Sequence, residues 1–118
     1  MPQVVGTSID SGSGPHVEIL QAAGIQFSEV SRTRDLRRNE QLIEALAGAD
    51  AVIAGAEPYS QKVIEALPAL RVISRSGVGF DAIDLDACDR AGVVVCTTPG
   101  VNHHSVAEHT FALLFGVA

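Results

Sequence analysis

A chain of 118 residues, 47% of them hydrophobic, fits one domain with a real core and excludes a disordered polymer. The formal net charge of −6 argues against nucleic acid or an anionic membrane as a partner. No basic or long apolar leader opens the chain, and its longest apolar run, at the C-terminus, is too short to span a bilayer.

Cys88 and Cys96 lie outside any CxxC pair, so a reducing cytoplasm is the simplest compartment. With no Trp, one Tyr and four Phe, the core must be built from Val, Ile, Leu and Ala.

Val4 to Ile9 reads as a first strand, followed by turn formers from Asp10 to Pro15. Helical spacing runs from His16 to Ala23 and stops at Gly24. Ile25 to Val30 alternates apolar and polar, as a strand close to a sheet edge does.

Ser31 to Arg38 then carries Arg32, Arg34, Arg37 and Arg38, half of the eight basic residues. It reads either as a solvated loop or as a patch facing an anion or a partner.

Asn39 to Ala47 predicts an amphipathic helix ended by Gly48, and Ala51 to Ala54 a strand covered on both faces. Tyr59 to Leu67 predicts a helix with Ser60 as N-cap, closed by Pro68. Arg71 to Ser74 is a fourth strand, Asp84 to Ala91 a short helix, and Val93 to Cys96 a fifth strand. After a loop from Thr97 to His104, Ser105-Val-Ala-Glu108 fits a capping box that opens a last helix. Strands alternating with helices imply an α/β fold: a doubly wound, five-stranded parallel sheet of flavodoxin-like order 2-1-3-4-5.

The fourth strand breaks into Gly77-Val-Gly79-Phe-Asp-Ala82, which fits a G-x-G-x-x-A pattern. A dinucleotide fingerprint is nonetheless rejected. The next strand ends in Thr97-Thr98-Pro99 without a carboxylate for a ribose, and the helix begins near Asp84 rather than on the glycines. Two readings stay open. Backbone amides at the strand's carboxyl end could hold a small anion, helped by Arg75. Alternatively, the glycines only permit positive φ, and Asp81 caps the next segment.

Arg75-Ser-Gly-Val-Gly-Phe-Asp-Ala-Ile-Asp84, Ala91-Gly-Val-Val-Val95 with Thr98-Pro-Gly100, and Asn102-x-x-Ser-Val-Ala-Glu-His109 stand in this order. Together they resemble the N-terminal region of the NAD-dependent D-isomer-specific 2-hydroxyacid dehydrogenases of phosphoglycerate dehydrogenase type. Ala54-Gly-Ala-Glu-Pro58 with Val63-Ile-Glu-Ala-Leu67 resembles the preceding block.

The resemblance implies that residues 1–104 are a substrate-binding segment and residues 105–118 an inter-domain, dimer-forming helix leading towards a Rossmann domain. It implies that the amides of Val78 and Gly79 hold a substrate carboxylate, that Val78 also lies against the nicotinamide, and that Arg75 and Asn102 contact substrate. The implied cofactor is NAD (or NADP), and the implied substrate a small 2-hydroxy or 2-oxo acid, 3-phosphoglycerate among the candidates. Some phosphoglycerate dehydrogenases place an arginine near the end of the third strand to hold phosphate; here that region is Ala54-Gly55.

The family's catalytic Arg, Glu and His have no counterpart before Ala118, and His103, His104 and His109 fall elsewhere and lack the neighbours of a metal site. The expectations are therefore a piece of a longer protein, inactive alone, holding no cofactor or metal. It should associate as a homodimer or swapped oligomer through residues 105–118. The alternative function is a non-catalytic flavodoxin-like module that binds a small carboxylate or docks a partner. A receiver-type signalling domain is disfavoured because Asp10 stands alone and no Asp ends the third strand.

Overall fold

The computed structural model describes residues 1–8 and 12–118. The elements follow one another as β1 (Gln3–Gly6), α1 (Pro15–Ala22), β2 (Gln26–Glu29), α2 (Asn39–Ala45) and β3 (Ala51–Ala54). They continue as α3 (Gln61–Glu65), β4 (Val72–Arg75), α4 (Leu85–Ala91), β5 (Val94–Cys96) and α5 (His103–Val117).

The strands pair in parallel in the order β2-β1-β3-β4-β5, the predicted flavodoxin-like topology, with β2 on an edge. Ile9 and the Asp10–Ser11 part of the predicted turn lie outside the described residues.

The register explains where the core sits. Val5, Val52, Ile73 and Val95 are successive cross-strand partners, so they form one row across the sheet. That row packs with Leu42, Leu46, Val63, Ile64, Ala87 and Cys88 from α2, α3, α4 and their ends. The opposite row, Val4, Ala51, Val72 and Val94, opens progressively to solvent, from 8% exposure at Val4 to 58% at Val94.

The expectation that β3 is covered on both faces is therefore corrected. Its apolar run alternates between buried and half-buried, so one face is packed in the core and the other is only partly covered.

Two helix starts form as their residues dictate. Ser60 Oγ accepts from the Val63 amide at 3.4 Å, and Asp84 Oδ1 accepts from the Ala87 amide at 3.0 Å. The cap of α4 is thus Asp84, not Asp81. Tyr59 falls outside its predicted helix: its N–H donates to Ala82 O and its carbonyl accepts from Asp84 N, both at 2.9 Å. That double clamp ties the segment after the glycine turn to the exit of β3, and so delays α4 to Leu85.

The last helix is corrected too. It starts at His103 with Asn102 as N-cap, because Asn102 O already accepts from Val106 N at 3.0 Å. Ser105 therefore sits inside the first turn and caps nothing. Every residue of α5 is exposed, with Phe111, Leu113, Leu114 and Phe115 between 57% and 72%. Among the described residues, no helix is long and apolar enough to cross a membrane.

Candidate functional site

The carboxyl ends of β1, β3 and β4 are tied by bonds that run past the strands. Thr7 N donates to Ile53 O at 3.0 Å, Ser76 N to Ala54 O at 2.8 Å, and Thr98 N to Gly77 O at 2.9 Å. This rim is where open parallel sheets present their ligand sites.

At its centre lies a buried carboxylate. Glu57, only 8% exposed, accepts through Oε1 from the Tyr59 hydroxyl at 2.7 Å and from the Gly55 amide at 3.0 Å, and it is hydrogen-bonded to the Thr7 hydroxyl. Thr7 Oγ1 in turn accepts from Gly55 N at 3.2 Å. Burial, followed by the charge and the hydrogen bond of Glu57, pushes the Tyr59 phenol far above its ordinary value of 10.0. The phenol is therefore held as a donor.

Sequence reasoning did not single out Glu57, Thr7 or Tyr59 as a network. The available signal was the Ala54-to-Pro58 block, where one acid follows a wholly apolar strand.

Above this floor opens a cavity of about 750 Å³, lined among others by Arg32, Arg34, Arg37, Arg75, Glu29, Asp35 and Glu57. Arg75 stands on the wall of this cavity. Its guanidinium folds back over the glycine turn, Nη1 donating to Ser76 O at 2.7 Å. A Cβ on Gly77 would come within 2.3 Å of that Nη1. The folded-back guanidinium leaves no room for a side chain at Gly77 unless it moves aside, and positive φ is not the reason for a glycine here, since neither Gly77 nor Gly79 adopts it. A Cβ at Gly79 would likewise meet Asp81 Oδ1 at 3.2 Å.

The amides of Val78 and Gly79 donate to no acceptor among the described residues, and both residues are exposed. Two adjacent free donors beside a guanidinium suit a carboxylate. Asn102 is not brought into this cluster: it is exposed at the start of α5, its side chain makes no capping bond, and it does not line the cavity.

The glycine turn does not have the layout of a dinucleotide fingerprint. The helix after the glycines starts at Leu85, away from the turn, and β5 ends in Cys96 with Thr97 and Thr98 following, without an acid to meet a ribose.

Comparison with known proteins shows the family of the chain. Residues 9–114 match the family model of the D-isomer specific 2-hydroxyacid dehydrogenase, catalytic domain. The chain is 39% identical over 80 residues to a D-3-phosphoglycerate dehydrogenase of Mycobacterium bovis, covering 67% of this chain and 15% of that protein. It is 38% identical over 80 residues to a glyoxylate reductase of Pyrococcus furiosus, covering 67% of this chain and 24% of the relative. The crystal structure of an NAD+-bound 3-phosphoglycerate dehydrogenase of Entamoeba histolytica superposes with a TM-score of 0.79 at 27% identity, over 97% of this chain and 38% of that one. The chain therefore spans a quarter or less of the length of these two sequence relatives.

Proposed function

Because this chain belongs to the D-isomer specific 2-hydroxyacid dehydrogenase family, we propose that it is the substrate-binding part of an oxidoreductase that exchanges a hydride between NAD(P) and a small 2-hydroxy or 2-oxo acid. The observation that carries this reading is the pair of free amides at Val78 and Gly79 beside the Arg75 guanidinium.

In this reading the two amides take the substrate carboxylate, and Arg75 adds a charge-assisted bond. The side chain of Val78, 43% exposed, offers an apolar surface to a nicotinamide held by another domain. Fixing the carboxylate orients the neighbouring carbon for hydride transfer, which is an entropic contribution to rate. Residues 1–104 serve as the substrate-binding segment. Residues 105–118 serve as the inter-domain helix, whose apolar side chains pair with a second copy. The unpaired cysteines suit a reducing cytoplasm.

The test is an amide NMR titration of the chain with D-lactate, with propane-1,2-diol as the control that lacks a carboxylate. Saturable shifts at Val78 and Gly79 with D-lactate alone support the reading. Equal shifts with the diol, or none with D-lactate, overturn it.

A further inference from the structure

Among the described residues, Glu57 is the one charged group that is buried, at 8% exposure. The bonds that hold it all end on the same oxygen: Oε1 takes the Tyr59 hydroxyl, the Gly55 amide and the Thr7 hydroxyl. Oε2 accepts from no described residue. Yet no side-chain polar atom among the described residues is both fully buried and unpartnered. Oε2 therefore reaches open space, and the space that Glu57 lines is the cavity of about 750 Å³.

The room beside that oxygen is kept clear. A Cβ on Gly55 would come within 2.9 Å of Oε2 and 3.4 Å of Ser8 Cα, and Gly55 has no positive φ to explain a glycine. Glu57 cannot swing aside to admit it without breaking its bonds to Tyr59, Gly55 and Thr7. Tying the ends of β1 and β3 together uses Oε1 alone, which leaves Oε2 for a ligand.

Four arginines and three carboxylates line the cavity, so its net charge selects only weakly. Arg32, Asp35 and Arg37 are exposed on the loop after β2, where water and salt screen them. Glu57 is buried and screened far less, so it decides what lies against the floor. An anion placed there would meet a like charge. A carboxylate only accepts hydrogen bonds, so the fitting group is a donor, and with four arginines around it a neutral hydroxyl fits better than an ammonium. Ser76 lines the same cavity and Val78 lies two residues on, so the free amides stand no more than about 7 Å along the backbone from its wall.

We propose that Glu57 is a specificity-determining residue: its Oε2 accepts a hydrogen bond from a hydroxyl on the tail of the substrate, beyond the reacting carbon. The ligand is then a 2-hydroxy or 2-oxo acid with a neutral donor on its third or fourth carbon. This rests on the reading of Val78 and Gly79 as the clamp for the carboxylate.

The experiment is an amide NMR titration of the 118-residue chain with four acids. D-glycerate and D-erythronate carry tail hydroxyls; D-lactate and D-2-hydroxy-3-methoxypropanoate have tails without a donor. At least one hydroxylated acid should bind about tenfold tighter than both donor-free acids. It should also shift the amide of Gly55, which shares the carboxylate with the ligand. Glu57→Gln keeps the shape and a carbonyl for Oε1's partners but turns an amide NH₂ towards the cavity. The preference for hydroxyl over methoxy should then vanish, because an ether oxygen accepts from that NH₂ as well as a hydroxyl does.

Equal binding of all four acids, or a preference for hydroxyl over methoxy that survives Glu57→Gln, overturns the proposal. Affinities are compared as ratios within one protein, so a general loosening of the fold cannot imitate the result. The wild-type comparison needs no variant, so a folding defect cannot hide it either. If D-lactate leaves Val78 and Gly79 unmoved, the carboxylate reading fails and takes this one with it. If D-lactate binds there and the hydroxylated acids gain nothing, only the role of Glu57 fails.

Discussion

The Tyr59 hydroxyl donates to Glu57 Oε1 at 2.7 Å, and both residues are buried at the rim where β1, β3 and β4 end. Tyr59 also clamps the segment after the glycine turn through its backbone, so one residue joins the cavity floor to the turn. Removing the hydroxyl should loosen the floor and leave the backbone clamp in place. Tyr59→Phe leaves a buried carboxylate short of one donor and should cost about 1.5–3 kcal/mol in urea unfolding. Glu57→Ala leaves the Tyr59 hydroxyl and the Gly55 amide without their acceptor and should cost more.

The same pair sets an alkaline limit. Burial and Glu57 raise the Tyr59 pKa in the folded chain, whereas the unfolded phenol titrates near 10.0. A raised folded pKa gives stability that is complete below the unfolded value and is lost as pH climbs above it, by up to about 1.4 kcal/mol per pH unit. Tyr59 is the only tyrosine and there is no Trp, so phenolate absorbance reports it alone. The absorbance should stay flat above pH 10.0 until the chain unfolds, and then rise together with the loss of helical circular dichroism.

Gly77→Ala tests why the glycine is there. The added Cβ would meet the far end of the Arg75 side chain, which can swing away, so the fold should survive with a loss below about 1 kcal/mol. D-lactate affinity should nevertheless fall about as far as in Arg75→Ala. The double variant should be no worse than either single one, because both changes remove the same guanidinium from the turn.

The two thiols should separate cleanly. Cys88 is buried against the sheet, and desolvation, followed by the charges of Asp84 and Asp89, raises its pKa, whereas Cys96 is exposed on the edge strand. A disulfide reagent at neutral pH should titrate one thiol in the native chain and the second only after denaturation.

Helix α5 should drive association. It exposes Phe111, Leu113, Leu114 and Phe115 together, and Phe111 stacks on Phe115, with ring centroids 6.3 Å apart. Sedimentation at micromolar concentration should show dimers or larger species, and Leu114→Glu/Phe115→Glu should return the chain to monomer. A wild-type monomer would refute this role for the helix.

Much of the fold was legible because its signals are local. The alternation of Ile25 to Val30, the apolar run of Ala51 to Ala54 and the cap at Ser60 each report on a few neighbours. What misled was local signal overruled from elsewhere. Ser105-to-Glu108 has the letters of a capping box, yet the Asn102 carbonyl starts the helix first. Tyr59 has helical spacing, yet its backbone is taken by Ala82 and Asp84.

At the site, Arg75 and the glycine turn could be read from their strand-to-turn position. The Glu57 network and the approach of Arg32, Arg34 and Arg37 to Arg75 could not. The Thr7–Glu57 bond and the sharing of one cavity by Arg32, Arg34, Arg37 and Arg75 join residues distant in the chain, a pairing that only the sheet order creates.

The most direct measurement is a crystal structure of the chain with D-lactate bound. The account predicts a carboxylate oxygen within about 3.2 Å of both the Val78 and Gly79 nitrogens, with the Arg75 guanidinium within reach of the same group. D-lactate bound elsewhere, with those two amides facing solvent, would contradict it.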